Sequence, residues 1–349
     1  MYSPQFSISN KILKNIGIIE AAREVIVNAP LVPAYEKKFR EEAIIRTVHH
    51  GTHIEGNELN YTEASQVLHG QQIVGRDRDI QEVINYRNVI RFLDYVAIGE
   101  VSKGKITEEV IKKIHALTVE KILSPEQCGV YRKTQVVVKN SVTGEVTFRP
   151  PAAIEVSYQM GDFADWIGNF PKDDMHPVVK AGITHYELVR IHPFLDGNGR
   201  TARAVATLVL FLENYDIKKF FSLEEYYDRD ALRYYDALKS AAGGNLTSWL
   251  EYFTEGLAIE LTRIKEKVQR LSTDIKLKEK LGGKQVFLSE RQIAVMEYIQ
   301  RVGYLSNQGF EDLFPNISED TILRDLHDLM KKGIIKKEGK TKASRYILR

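Results

Sequence analysis

The sequence predicts a mainly α protein, a helical core carrying one β-hairpin, followed by a small C-terminal domain. Three observations lead there. Apolar residues recur at three- and four-residue spacing through most of the chain, which is the pattern of amphipathic helices. One segment, TQVVVKNSVTGEVTFRPP (Thr134–Pro151), is instead β-branched, turn-rich and closed by two prolines, the signal of a hairpin. Near Lys265 the composition turns highly charged, and Gly282-Gly283 follows, as in a helix running into a linker.

The length of 349 residues suggests two or three domains. The expected division is a helical region over 1–100, a core over 101–261, a helix and linker over 262–284, and a compact unit over 285–349. Composition is 43% hydrophobic and 28% charged with a net charge of +2, which excludes a disordered chain and a globally basic nucleic-acid binder. The single cysteine, Cys128, excludes an intrachain disulfide and reads as a packing residue. The N-terminus lacks the basic start and apolar stretch of a signal peptide. The longest mostly apolar run, Ala204 to Leu212, is too short to span a bilayer. The expected location is cytoplasmic, with no membrane partner.

Taken in order, helices are expected over Gln81–Val96, Thr107–Leu123 and Ala152–Phe170. Val178–Ile191 and Ala202–Tyr215 are apolar on most faces and should form the buried central pair. Between these two lies IHPFLDGNGRTAR, Ile191 to Arg203. Pro193 and the two glycines forbid a continuous helix, so a loop should enter the second helix near Gly199 or Arg200. Such a loop aims backbone N–H groups outward at the positive end of the helix, a ready anion site. Gly197 and Gly199 allow close approach to a ligand, and Asn198 can hold a left-handed conformation and add an amide donor. Arg200 and Arg203 share one helix face and suit a polyphosphate. Asp196 makes sense beside phosphates if it holds Mg²⁺, and His192 is placed to take a proton from an attacking hydroxyl. Together these residues point to metal-assisted transfer from a nucleoside triphosphate to a hydroxyl.

The run His192 to Arg203 resembles the motif HPFx[D/E]GNGRxxR of the Fic family at every fixed position. The preceding HPVVKAGITHYELVR and the stretch CGVYRKTQVVVKNSVTGEVTFRPP also resemble that family's motif helix and flap. The resemblance implies a Fic helical core and a protein adenylyltransferase, moving AMP from ATP to a Ser, Thr or Tyr hydroxyl of a target protein or of itself. It implies His192 as general base and Asp196 as Mg²⁺ ligand. It implies Asn198 with the Gly197 and Gly199 backbone on the α- and β-phosphates, and Arg200 and Arg203 on the β/γ end. Phe194 would anchor the loop, and Tyr234 or Tyr235 would lie near the adenine. The 134–151 hairpin would offer an edge to the acceptor segment. Relatives that act as kinases replace the Gly-Asn-Gly segment, which is intact here, whereas transfer of phosphocholine or removal of AMP stays open.

THIEGNELN, Thr52 to Asn60, follows a helical run and places Glu55 just before Gly56, a natural helix end. It resembles the inhibitory pattern [S/T]xxxE[G/N], whose Glu pairs with the second motif arginine, here Glu55 with Arg203. Gly51 stands where that pattern has Ser or Thr. A helical glycine costs about 1 kcal/mol relative to Ala, so a loosened brake is expected. His49, His50 and His53 are expected to flank the nucleotide site or face solvent.

Beyond the linker, three short helices, with Ser289 and Ser318 as N-caps, precede an alternating IIKKEGKTKASRYILR. This looks like a winged helix-turn-helix. Eight basic residues from Lys331 onward stand against Glu338 alone, a footprint for a nucleic-acid backbone, with Thr321 and Arg324 as candidate base readers. Asp320, Asp325 and Asp328 on the same helix oppose DNA. The competing reading is a nucleotide-sensing, DNA-binding regulator, and a homodimer is compatible with either.

Overall fold

The computed structural model describes residues 2–139, 146–169, 174–280, 288–306, 308–314, 317–339 and 344–348. It is mainly helical and divides into two compact units, one of residues 1–28 and 36–267, the other of residues 29–35 and 268–349.

In the first unit α1 (Asn10–Val27) starts at Ser9, whose side chain accepts from the Ile12 N–H. Helix α2 (Pro33–His53) begins on a proline and runs through Gly51. Helix α3 (Tyr61–Leu68) opens on a capping box of Asn60 and Glu63. Then come α4 (Asp77–Ala97) and α5 (Glu108–Thr118), the latter capped by Thr107. Helix α5 ends five residues before the expected Leu123, where the chain turns through Lys121 at φ 59°.

The hairpin is real but short: β1 (Val138–Lys139) pairs antiparallel with β2 (Val146–Phe148). Its expected turn, Asn140 to Gly144, lies outside the described residues. Helix α6 (Ala153–Asn169) follows. The central pair is α7 (Pro177–Ile191) and α8 (Asn198–Leu212). Val178, Ala181, Ile183, Ile191, Ala202, Ala204, Leu208 and Leu210 are wholly enclosed, as expected of helices apolar on most faces. A Tyr-rich stretch follows as two helices, α9 (Leu223–Arg229) and α10 (Ala231–Ser240). They break at Asp230, whose side chain accepts from the Arg233 N–H. Helix α11 (Thr247–Lys280) carries Trp249, whose indole N–H donates to the Gly182 carbonyl of α7 at 2.7 Å.

The second unit holds α12 (Glu290–Val302), β3 (Leu305–Ser306), α13 (Gln308–Leu313), α14 (Glu319–Lys331), β4 (Ile335–Glu338) and β5 (Arg345–Leu348). The strands form an antiparallel sheet of order β3-β5-β4. Met296, Ile299, Leu305, Phe310, Ile322, Leu326, Leu329 and Tyr346 make its core. Ser289 caps α12 with a full capping box, but Ser318 makes no cap bond and pairs its hydroxyl with that of Thr321 instead. Gly282-Gly283, Lys340, Lys342 and Arg349 lie outside the described residues. No described helix is long and apolar enough to cross a membrane.

Candidate active site

Helix α7 stops at His192, which takes a left-handed conformation (φ 50°, ψ 60°) and turns the chain into the loop. Phe194 is fully buried and stacks on His115 of α5, ring centroids 3.7 Å apart. The second left-handed residue is Gly197 (φ 72°), the N-cap of α8. The sequence reading placed that conformation at Asn198, which is instead the first helical residue. Its amide is also spoken for. Oδ1 accepts from the Phe194 N–H and Nδ2 donates to the Phe194 carbonyl, both at 2.9 Å. Asn198 therefore staples the loop with its amide, and its backbone N–H remains for a ligand.

His115 was missed as a site residue. Its Nδ1 accepts from the Gly129 N–H at 2.9 Å, which leaves Nε2 to donate to the Asp196 carbonyl at 3.0 Å. Those two bonds fix a neutral tautomer, and burial pushes its pKa down to about 4. The signal was a lone histidine in the apolar periodicity of its helix.

His192 itself is partly buried, and burial lowers its pKa, so the imidazole is neutral and able to accept a proton near pH 7. Arg132, also missed, fixes the surroundings. It is buried with its Nε donating to the His192 carbonyl at 2.8 Å, and its Nη atoms to Thr134 at 3.2 Å and Pro151 at 2.6 Å. The Arg132 N–H donates to the Pro193 carbonyl at 2.9 Å. One side chain thus ties both ends of the hairpin segment to the catalytic loop.

The Asp196 carboxylate is 37% exposed. Oδ1 accepts from the Gly197 N–H at 2.6 Å and Oδ2 from Arg78 of α4 at 2.9 Å. Burial would raise its pKa, but Arg200, the Gly197 N–H and Arg78 together hold it below the ordinary range. An ionised, part-exposed carboxylate beside an anion nest fits a Mg²⁺ ion that takes its other ligands from phosphates and water. Among the described residues no group of three or more His, Cys, Asp and Glu could hold a metal.

Arg200 and Arg203 do share a face, and both are buried. Arg200 pairs with Glu82 of α4 at 3.2 Å and approaches Asp196 at 3.6 Å. Glu82 also accepts from Asn57 at 3.0 Å and Arg78 at 3.1 Å. In this conformation Arg200 is held by an acid rather than free for phosphate. Arg203 donates to Glu55 and to the Gly51 carbonyl, both at 2.8 Å. Glu55 sits two residues past α2, just before Gly56 at φ 94°. Its carboxylate lies against Gly199, where a Cβ would collide with it. An internal anion therefore occupies the N-terminal end of α8.

Gly51 turns out to be needed rather than merely tolerated. A Cβ there would fall 2.5 Å from the Tyr86 ring. The absence of a side chain lets α2 pack close enough for its carbonyl to reach Arg203. The expectation of a loosened brake rested on the missing hydroxyl and on helix propensity, and did not include this contact.

The histidines do not gather as ligands. His50 and His53 both place Nδ1 on Asp228 of α9 at 2.7 Å, and His49 is buried. Tyr234, at 2% exposure, is stacked on Tyr227 with its hydroxyl on His185, so its ring belongs to the core rather than to an adenine pocket. Tyr235 is 41% exposed and reaches the Ile54 carbonyl at 3.4 Å, beside the Glu55 turn.

Residues 105–210 match the Fic/DOC family. A protein adenylyltransferase Fic of Nematostella vectensis is 27% identical over 222 residues, 60% of this chain and 48% of that protein. One of Drosophila grimshawi is 28% identical over 222 residues, 63% of this chain and 42% of that protein. The chain spans less than half the length of these relatives. Among solved structures, a Fic family protein from Desulfovibrio desulfuricans G20 is similar over 100% of this chain and 98% of its own, with TM-score 0.64 and 23% identity. Fic-1 of C. elegans (residues 134–508) is similar over 76% of this chain and 74% of its own, with TM-score 0.57 and 24% identity. The two structures share the fold. The chain thus carries a Fic/DOC family domain, built on residues 105–210.

Proposed function

We propose that this chain is a protein adenylyltransferase that transfers AMP from ATP to a protein hydroxyl and is restrained by Glu55. The observation that carries this reading is the N-terminal end of α8, where a helix-end anion site, two arginines and a neutral histidine meet. His192 accepts the proton of the attacking hydroxyl. The backbone N–H groups of Asn198 and Gly199 and the Arg203 fork receive the phosphates once Glu55 leaves. Asp196 would hold Mg²⁺, which supplies charge neutralisation on the phosphates. Tyr235 is the aromatic residue available to the base. Arg132 keeps the hairpin beside His192, which favours an acceptor segment added along that edge.

Glu55 works as a brake by mimicry. Its carboxylate takes the place of a phosphate at both Arg203 and the helix end, so a triphosphate must displace it or bind out of register. The relatives' names support AMP as the transferred group. The test uses ATP labelled at the α- or the γ-phosphate with Mg²⁺ and lysate. Protein-bound α-label that rises in Glu55→Gly and vanishes in His192→Ala supports the reading. Label from the γ-phosphate, or none even in Glu55→Gly, overturns it.

For residues 285–349 we propose a winged helix that contacts DNA. What supports it is the pairing of the acids on α14. Asp325 is bound by Arg291 at 2.7 Å, and Asp328 by Gln292 at 2.7 Å and by Lys332 at 2.5 Å. This offsets two of the four acids of α14 and leaves Arg324 exposed. A salt-dependent shift of duplex DNA by the full chain tests this, and no binding at low salt overturns it.

A further inference from the structure

We propose that Arg78 is a positioning residue of the nucleotide site, which fills the Asp196 carboxylate until a divalent cation arriving with the nucleotide takes its place. This rests on the reading of Asp196 as a metal ligand given above.

Asp196 has two oxygens with different fates. Oδ1 is committed to the Gly197 N–H, a bond within the loop that shapes the N-cap of α8. Oδ2 is the oxygen a cation can reach, and Arg78 holds it from 118 residues away. The same guanidinium uses Nε on Glu82, so it bridges the buried acid of α4 and the acid of the loop.

Arg78 is built to let go. Its side chain is 60% exposed, and an exposed pair of this kind is weak and screened by salt. When it leaves, Glu82 keeps its contacts with Arg200 and Asn57, so the scaffold does not depend on it. While it stays, Asp196 is neutralised and its rotamer is held toward α4. Release exchanges one cation for another at Oδ2 and frees a guanidinium beside an arriving polyphosphate. The site therefore never presents a bare carboxylate to an approaching anion.

The test measures the affinity of the full-length protein for a fluorescent ATP analogue twice, with Mn²⁺ and with EDTA. The ratio of the two affinities isolates the metal's contribution. In Arg78→Ala that ratio should rise about two- to fivefold, the size of the exposed ion pair with which the cation no longer competes. Arg78→Lys, which can restore the charge at Oδ2, should return the ratio toward wild type. The melting temperature of both variants should stay close to wild type, since a merely structural arginine would weaken binding in both buffers together. An unchanged or lower ratio in Arg78→Ala overturns the proposal. Asp196→Ala separates the two readings. If it abolishes the Mn²⁺ effect while Arg78→Ala changes nothing, Asp196 remains the ligand and only the role of Arg78 falls. If Asp196→Ala leaves the Mn²⁺ effect intact, the cation binds elsewhere and both fall.

Discussion

The turn after α2 and the N-terminal half of α4 both press on the first turn of α8, and each supplies one glutamate to one arginine. Glu82 comes from within α4, is 5% exposed, and carries Arg200, Arg78 and Asn57 at once. Glu55 comes from a turn, is 28% exposed, and carries only Arg203. Arg203 has the Gly51 carbonyl as a second acceptor, so losing Glu55 does not strand it. Both arginines are 2% exposed, so a lost carboxylate matters at either, and the difference lies in the glutamates, Glu82 enclosed in a helix and Glu55 part-exposed in a turn. The same chemical pair is therefore a scaffold at Arg200 and a removable restraint at Arg203.

The largest effect should come from the scaffold side. Glu82→Gln leaves the buried Arg200 guanidinium with only the longer 3.6 Å contact to Asp196 as countercharge and should cost about 3 kcal/mol. Denaturant unfolding of the full chain would read this as a lower midpoint for the larger unit. If Glu82→Gln and Glu55→Gln destabilise equally, the distinction between the two regions is wrong.

Acid should act on both regions together. His115 beside the loop and His49 in α2 are each pushed down to about 4, chiefly by burial. A histidine depressed in the folded state binds more protons when unfolded, so its stabilisation is complete above about 6.5 and is lost as pH falls toward 4. For His115 this amounts to about 3 kcal/mol, and His115→Phe, which retains an aromatic ring beside Phe194, should flatten that part of the curve. Stability that does not change between pH 7 and pH 4.5 would contradict the buried, neutral assignment.

Gly51→Ala probes the restraint side through packing. Its Cβ must move the Tyr86 ring or α2 itself, an overpacking that costs about 1–3 kcal/mol. Because α2 also delivers Glu55, the same displacement should raise AMP transfer. A stable Gly51→Ala variant as restrained as wild type would show that the close approach is not needed.

How much of this was legible follows from where each partner sits in the chain. The loop conformation set by His192, Pro193 and Gly197 is local, since each acts on the backbone at its own position, and a linear reading reaches it. The Glu55–Arg203 pair spans 148 residues, yet it was found because both ends carry a recognisable pattern. Arg78, Glu82 and Arg132 carry none. On a helix, Arg78 and Glu82 read as an ordinary i,i+4 surface pair, and only the packing of α4 on α8 buries Glu82 and brings Arg78 to Asp196. Asn198 and Tyr234 show the opposite limit: their chemistry suits a ligand, and only the fold shows that the Asn198 amide bonds Phe194 and that the Tyr234 ring packs on Tyr227.

The smallest change in stability should accompany the largest change in rate. Glu55→Gly removes a part-exposed carboxylate from a turn and leaves Arg203 on the Gly51 carbonyl, so its cost should be smaller than that of Glu82→Gln. The same substitution clears Arg203 and the Gly199 face for phosphate, and AMP transfer should rise by at least about tenfold, the equivalent of 1.4 kcal/mol in the barrier. Glu55→Gln separates the two ways the brake could work. A neutral amide of the same shape still fills the space over Gly199 but no longer imitates an anion at the helix end. If Glu55→Gln is released as fully as Glu55→Gly, charge is what restrains the site. If it stays restrained, occupancy of the Gly199 face is enough, and the ion pair only holds the blocking side chain in place.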